Sequence, residues 1–400
     1  MDCTGCKVCI NNCPNKALSL TPLNSEEQEI YNYLSKNIKD KHINKDNVIN
    51  SQFTESKFKY SGACQGCGET PYIKVLTQLF GDNMIIANAT GCSSIYGGSV
   101  PSTPYNLPWS NSLFEDNAEY GYGILIGNKT IRDRIKTIME NNMDNPNHEL
   151  FELYINNIDN YDITKQVYDS LDYNTCPKEL NELKDYITKR SVWAIGGDGW
   201  AYDIGYGGID HVLSTNDNVN ILVLDSQVYS NTGGQASKAS PKGAVALFAA
   251  KGKQNAKKDL ARIALSYPHV YVATVSMGAN MNQLLKVFKE AENYNGPSII
   301  IAYSPCISHG IKGGMENSIL MEKLATECGY FPIFHYNPVD KKFTLDSKNV
   351  NFDLYDEFLS MQNRYSMLKK VNEDHYKELL ESNKNNAISR YNYYKELDNK

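Results

Sequence analysis

Ser191-Val192-Trp193-Ala194-Ile195-Gly196-Gly197-Asp198-Gly199-Trp200 decides the reading of this chain. Val192–Ile195 is a short uncharged apolar run that ends in a glycine-rich turn. Further runs of the same kind follow at Val219–Leu224, Val270–Val275 and Ser298–Tyr303. The segments between them carry helical spacing, near Trp200–Leu213, Lys257–Ser266 and Met281–Glu292. A strand that stays apolar on both faces is a strand covered on both faces. Such strands alternating with amphipathic helices predict an α/β fold, a parallel sheet with helices on both faces.

Upstream, Thr70-Pro71 reads as a capped helix start, followed by apolar spacing at Ile73, Leu76, Leu79 and Phe80 and a buried-strand pattern at Met84–Ala87. Residues 97–110 read as an ordered loop, and 130–190 as a mostly helical, polar insertion. Residues 21–57 read as a polar linker with a helix from Ser25 to Ile38. The expected organisation is a cysteine segment at 1–20, the linker at 21–57, a main domain at 58–330, and a helical extension at 331–400.

The chain has 400 residues, 41% hydrophobic and 22% charged, which excludes intrinsic disorder for its bulk. With 40 basic and 46 acidic residues it lacks the basic excess of a nucleic-acid binder. No apolar run reaches the ~18 residues of a membrane span, and the first residues hold thiols where a signal peptide would be apolar. A cytoplasmic location is the expectation. Six of the ten cysteines lie in two tight clusters near the N-terminus, which suggests a reducing compartment and metal or cluster ligation.

Cys3-x2-Cys6-x2-Cys9-x3-Cys13-Pro14 has the spacing of the bacterial ferredoxin run, in which three thiolates wrap one [4Fe–4S] cube and the fourth reaches a neighbouring cluster. Two such runs complete a two-cluster ferredoxin, and one is present. The sequence therefore reads as if it began within a ferredoxin domain. Cys64-Gln65-Gly66-Cys67 alone is compatible with a redox pair, half a zinc site or part of a cluster. Cys92 and Cys306 each follow a strand. Ends of parallel strands converge on one edge, so these two thiols could join the pair. Spacing leaves open whether they form a four-thiolate cluster or are structural. Cys176 and Cys328 lie in helical regions and read as small buried hydrophobes.

Gly197-Asp198-Gly199 sits between a strand and a helix, and twenty-five residues separate Gly199 from Asp225-Ser226 at the next strand end. Glycines there let a diphosphate approach backbone N–H groups. A bridging Mg²⁺ wants hard oxygens, which Asp198, the Ser226 hydroxyl and the Val228 carbonyl offer. The pairing points to thiamine diphosphate, although Asp-Ser replaces the usual Asn-Asn. The loop Tyr229-Ser230-Asn231-Thr232-Gly233-Gly234-Gln235, rich in donors and low in bulk, reads as a cover over that cofactor or as an ordinary polar loop.

Taken together, Tyr60–Gly68, Gly91–Gly98, Gly197–Trp200, Leu224–Gln235, Ser304-Pro305-Cys306-Ile307 and Asn363-Arg364-Tyr365 resemble pyruvate:ferredoxin oxidoreductase, specifically the C-terminal third of the long single-chain enzyme. The resemblance implies a [4Fe–4S] cluster on Cys64, Cys67, Cys92 and Cys306, and outer-cluster ligands at Cys3, Cys6, Cys9 and Cys13. It implies Mg²⁺ on Asp198, Ser226 and Val228, a diphosphate site at Gly197–Gly199 and Thr232, and Asn231 near the reacting end. It further implies oxidative decarboxylation of pyruvate to acetyl-coenzyme A and CO2. Ferredoxin or flavodoxin would be the electron acceptor, and the complete enzyme a homodimer. No second thiamine-type domain is legible, so a missing N-terminal portion or partner subunit is expected, with no pyruvate oxidation by this chain alone. The competing reading is an iron–sulfur electron-transfer fragment without catalysis of its own.

Overall fold

A computed structural model describes residues 3, 5–22, 24–37, 43–45, 47–98 and 103–399. Its centre is a sheet of eight strands: β1 Met84–Ala89, β2 Trp109–Ser112, β3 Ser191–Gly196, β4 Val219–Asp225, β5 Tyr271–Val275, β6 Ser298–Tyr303, β7 Phe334–Asn337 and β8 Lys342–Leu345. The order across the sheet is β2-β1-β3-β4-β6-β5-β7-β8. All pairings from β2 to β5 are parallel, and β5–β7 and β7–β8 are antiparallel.

The expected parallel sheet is therefore present, and alternate residues of one strand serve opposite layers. Ala194, Ile221, Val223, Ile299 and Ile301 pack with Tyr202, Ile209 and Val212 on one face. Trp193, Ile195, Leu222, Leu224 and Ile300 pack with Leu76, Leu284 and Phe288 on the other. Every residue of β3, β4, β5 and β6 is buried, which is why these strands read as unbroken apolar runs. Helices Asn117–Glu140, His148–Asn156, Tyr161–Ser170 and Lys178–Glu182 form the expected insertion. They hold a small core of their own around Ile135, Met139, Phe151, Tyr154 and Leu180.

The expectations need correcting in several places. The extension after residue 330 is not wholly helical, because β7 and β8 form a hairpin that adds antiparallel strands to the sheet. The loop expected over 97–110 ends in an edge strand at Trp109, and its residues 99–102 lie outside the described set. The helix expected over Trp200–Leu213 is two, Asp198–Tyr202 and Tyr206–Leu213. The linker helix spans Ser25–Asn37, and Ile38 lies outside the described residues. Among the described residues no helix is long and apolar enough to cross a membrane.

Candidate cofactor and cluster site

The C-terminal ends of β1, β3, β4 and β6 bring together segments distant in sequence. Gly197–Trp200 follows β3, Ser226–Gln235 follows β4, Gly91-Cys92 follows β1 and Ser304–Cys306 follows β6. A cavity of about 510 Å³ opens there, lined by Thr90, Gly91, Cys92, Gly197, Asp198, Gly199, Ser226, Val228, Ser230, Asn231, Thr232 and Glu69, among others. Every residue that the sequence put in the diphosphate and magnesium site thus faces one cavity, together with one of the four cysteines. The crevice beyond the carboxyl ends of parallel strands is where ligands bind in open α/β sheets.

Asp198 is 3% exposed. Its Oδ1 accepts from Gln227 N–H (3.2 Å) and its Oδ2 from the Ser237 hydroxyl (3.0 Å). Burial, then the nearby Asp225 carboxylate, holds its pKa well above the ordinary range, and Lys257 opposes the rise. Asp225 already has a cation, with Lys257 Nζ 2.7 Å from its Oδ1. Among the described residues none forms an ion pair with Asp198, and such a carboxylate is suited to a bound cation. Ser226 Oγ lies 3.1 Å from the Val228 carbonyl oxygen. The Ser226 hydroxyl donates to that carbonyl, so these two hard oxygens lie side by side, the donor type a Mg²⁺ ion would take. The donor chemistry of Asp198, Ser226 and Val228 fits a magnesium-bridged diphosphate. At Gly199 a Cβ would come within 2.5 Å of the Tyr229 ring, so only glycine lets that ring close over the turn. Tyr229 is held there by its hydroxyl, which donates to Asp203 Oδ2 at 2.8 Å. Asn231 and Thr232 are exposed at the cavity mouth, beside Phe248, which is 93% exposed.

The thiol site is built against the same edge. Cys64 and Cys67 occupy a turn closed by Cys67 N–H to the Cys64 carbonyl (3.1 Å). They precede the helix Thr70–Phe80 rather than open it. At Gly66 φ is +70°, and a Cβ would lie 2.5 Å from the Met315 carbonyl oxygen, so the turn requires glycine. Gly68 N–H donates to the Pro305 carbonyl (3.0 Å), which seats this turn beside Cys306. Burial raises the thiol pKa values of Cys67, Cys92 and Cys306. The field at Cys92 includes Glu69, Cys306, Cys67 and Cys64, all resisting its ionisation. Glu69 N–H points at Cys67 Sγ and Ser308 N–H at Cys306 Sγ, both at 3.4 Å. Mutually opposed thiolates with amide donors to sulfur suit a cationic iron–sulfur core, whose potential such donors tune. Among the described residues no three His, Cys, Asp or Glu side chains are close enough to hold a single metal ion. Cys3 and Cys6 line a second cavity, of about 460 Å³, together with Cys64 and Cys67. Cys9 is exposed, and Cys13 Sγ accepts from Ala17 N–H at 3.4 Å, which lowers its pKa. Cys176 and Cys328 are buried in the cores, as expected.

Three residues that sequence reasoning passed over belong to this site. Glu69 is buried on the cavity wall, accepts from the Tyr96 hydroxyl (3.0 Å), and is pushed by burial to a pKa of about 7. His309 contacts the Ser226 carbonyl, and Gln227 separates Ser226 from Val228. Only Glu69 left a sequence signal, its place two residues after Cys67.

The fold is an α/β domain with a crevice at the carboxyl ends of its parallel strands, and residues 183–302 match the family described as thiamine pyrophosphate enzyme, C-terminal TPP binding domain. Over almost all its length the chain is similar to pyruvate:ferredoxin and pyruvate-flavodoxin oxidoreductases. It is 45% identical to the pyruvate:ferredoxin oxidoreductase of Moorella thermoacetica, over 99% of this chain and 37% of that protein. It is 44% identical to the pyruvate-flavodoxin oxidoreductase of Trichormus variabilis, over 99% of this chain and 36% of that one. The chain thus spans little more than a third of these relatives' length. The 2-oxoglutarate:ferredoxin oxidoreductase of Magnetococcus marinus, solved with 2-oxoglutarate, coenzyme A and succinyl-CoA bound, aligns at a TM-score of 0.41 and 16% identity, covering 64% of this chain and 68% of that one. That likeness is too distant to add to the argument.

Proposed function

We propose that this chain is the diphosphate-binding, cluster-bearing portion of a 2-oxoacid:ferredoxin oxidoreductase. Its whole enzyme would oxidise pyruvate with coenzyme A to acetyl-coenzyme A and CO2, and pass the electrons to ferredoxin or flavodoxin. The observation that carries this reading is the shared cavity: Cys92 lines the same space as Asp198, Ser226, Val228 and Asn231. A redox centre beside a thiamine site suits a reaction whose electrons must leave one at a time.

When bound, thiamine diphosphate supplies the electron sink for decarboxylation. Asp198, the Ser226 hydroxyl and the Val228 carbonyl hold the Mg²⁺ that anchors its diphosphate. Gly197 and Gly199 leave room for the phosphates, Thr232 contributes a hydroxyl, and Asn231 stands at the cavity mouth to orient the substrate. Cys64, Cys67, Cys92 and Cys306 hold the proximal [4Fe–4S] cluster. Cys3, Cys6, Cys9 and Cys13 would serve outer clusters, a reading supported by the cavity that Cys3 and Cys6 share with Cys64 and Cys67. In domain terms, 1–20 is the ferredoxin-like segment, 21–57 the linker, 58–330 the cofactor domain and 331–400 its extension. A cluster-binding electron carrier without catalysis is the second reading, favoured by the cavity's exposed mouth at Asn231, Thr232 and Phe248.

The test is calorimetric titration of thiamine diphosphate with Mg²⁺ into the anaerobically reconstituted chain, against Asp198→Ala. The parent binds and the variant does not. Equal affinity would remove Asp198 from the metal site, and no binding by the parent would favour the carrier.

A further inference from the structure

The motif Asn363-Arg364-Tyr365 has no role in the function described so far, and it lies outside the stretch matched by the thiamine family. Yet Arg364 is among the most buried charged groups in the chain, 5% exposed. Its hydrogen-bond partners are neutral. Nε donates to Gln362 Oε1 (2.8 Å), and Nη2 donates to both Gln227 Oε1 (2.9 Å) and the Tyr330 hydroxyl (3.1 Å). A guanidinium is not buried cheaply on this scale, so its position calls for a reason.

Gln227 supplies one. It separates Ser226 from Val228, the two residues proposed to offer oxygens to Mg²⁺, and its φ is +63°. That is the left-handed region, which a non-glycine residue occupies at a cost and keeps only when its surroundings over-determine it. With Gln227 in that conformation, Ser226 Oγ and the Val228 carbonyl oxygen come 3.1 Å apart. Four hydrogen bonds hold Gln227. Its N–H donates to Asp198 Oδ1 (3.2 Å), and its carbonyl accepts from the Ser240 hydroxyl (2.7 Å). Its side-chain Oε1 accepts from the Tyr330 hydroxyl (2.5 Å) and from Arg364. Neighbouring backbone bonds fix Arg364 itself: its carbonyl accepts from Val245 N–H (2.7 Å), and Asn363 N–H donates to the Gly310 carbonyl (2.9 Å).

We propose that Arg364 is a positioning residue for the magnesium site: through Gln227 Oε1 it locks the left-handed turn that aims Ser226 and Val228 at the metal. The bond from Arg364 is charge-assisted, and it comes from a segment 137 residues away. Arg364 touches neither substrate nor cofactor in this scheme. The inference rests on the magnesium site proposed above.

A double-mutant cycle tests it, read by calorimetric titration of thiamine diphosphate at fixed Mg²⁺ into the 400-residue chain. Arg364→Met weakens binding about tenfold, the effect of losing a buried charge-assisted hydrogen bond. Tyr330→Phe, which keeps the ring and loses only the hydroxyl, weakens it in the same direction. Gln227→Gly removes both the strain and the acceptor, and in that background Arg364→Met adds less than about twofold. An equal penalty in both backgrounds would show that Arg364 does not act through Gln227. A second readout needs no ligand and survives failure of the magnesium reading. Amide exchange at Gln227 speeds up in Arg364→Met and in Tyr330→Phe, while exchange in β1 stays unchanged. Unaltered exchange at Gln227 in both variants would overturn the proposal, whereas failure of the parent to bind would overturn only the cofactor reading.

Discussion

His309 Nε2 lies 2.7 Å from the carbonyl oxygen of Ser226. The opposite ring nitrogen, Nδ1, lies 3.4 Å from the backbone nitrogen of Cys306. A carbonyl only accepts and an amide N–H only donates, so the partners fix one neutral tautomer, protonated at Nε2. Burial, reinforced by the Arg364 charge, holds the imidazole pKa well below its usual value. One buried ring thus ties a proposed magnesium ligand to a proposed cluster ligand.

His309→Phe preserves the ring and deletes both bonds. It strands the Ser226 carbonyl, which is buried, at about 1–3 kcal/mol, and the half-buried Cys306 N–H at less. Thiamine diphosphate affinity is expected to fall about tenfold or more, and the reconstituted cluster to bleach faster in the presence of a chelator. Loss of one property with the other intact would show that the ring does not couple the two sites.

Cys306→Ser is expected to remove the proximal cluster's iron and its visible absorption after anaerobic reconstitution. Cys328→Ser, in a thiol buried in the hydrophobic core, should leave both unchanged. Iron content and spectrum equal to the parent's in Cys306→Ser would break the four-cysteine assignment.

How far the sequence led can be judged residue by residue. β3, β4 and β6 were legible to within a residue at each end, because burial on both faces writes an unbroken apolar run. β2, Trp-Ser-Asn-Ser, has no such run, since it lies at the sheet edge. β7 and β8 are four residues each and only half apolar, with the polar turn at Pro338–Lys341 between them, so they blended into the polar tail. The cysteine runs and Gly197-Asp198-Gly199 stand out in the sequence because the chemistry expected of them needs fixed local spacing. Gln227, His309 and Arg364 were not, because each acts by contacts made across the fold. A left-handed φ at a glutamine leaves no trace in composition, and nothing near Arg364 in sequence announces Gln227.

Glu322 gives a prediction of pH dependence. It is fully buried, with Gly278 N–H donating to its Oε2 at 2.6 Å, and burial raises its pKa from 4.5 to about 8. The folded chain therefore keeps this proton over a range where the unfolded chain has lost it. The folded state binds more protons, so stability falls as pH rises from about 4.5 to about 8, and the loss is complete above that. Glu322→Gln keeps an acceptor for Gly278 and cannot ionise. Urea unfolding at pH 5.5 and pH 8.5 should show a smaller loss for the variant than for the parent. Equal losses would mean that Glu322 does not stay protonated in the fold.

The last prediction concerns the 400 residues by themselves, which are expected to bind cofactor and not to turn over pyruvate. Decarboxylation at a thiamine centre needs a site closed to water and a positioned acid–base partner on the pyrimidine side. Here Asn231 and Thr232 are exposed, and Phe248 stands 93% exposed at the cavity mouth. Among the described residues, the carboxylates on the cavity wall are Glu69 and Asp198. Asp198 is the proposed metal ligand, and Glu69 stands beside Cys67 and Cys92, on the side of the proposed cluster. The acid–base contribution, about 10²–10⁴ in rate, and the cover are expected from residues other than these. The assay is anaerobic, with pyruvate, coenzyme A, thiamine diphosphate, Mg²⁺ and a viologen dye. Turnover by the purified chain at ~1–10³ s⁻¹, ordinary for an enzyme, would show that the exposed cavity is already a complete active site. Activity that emerges only on co-expression with the remaining two-thirds of a relative would locate the missing groups there.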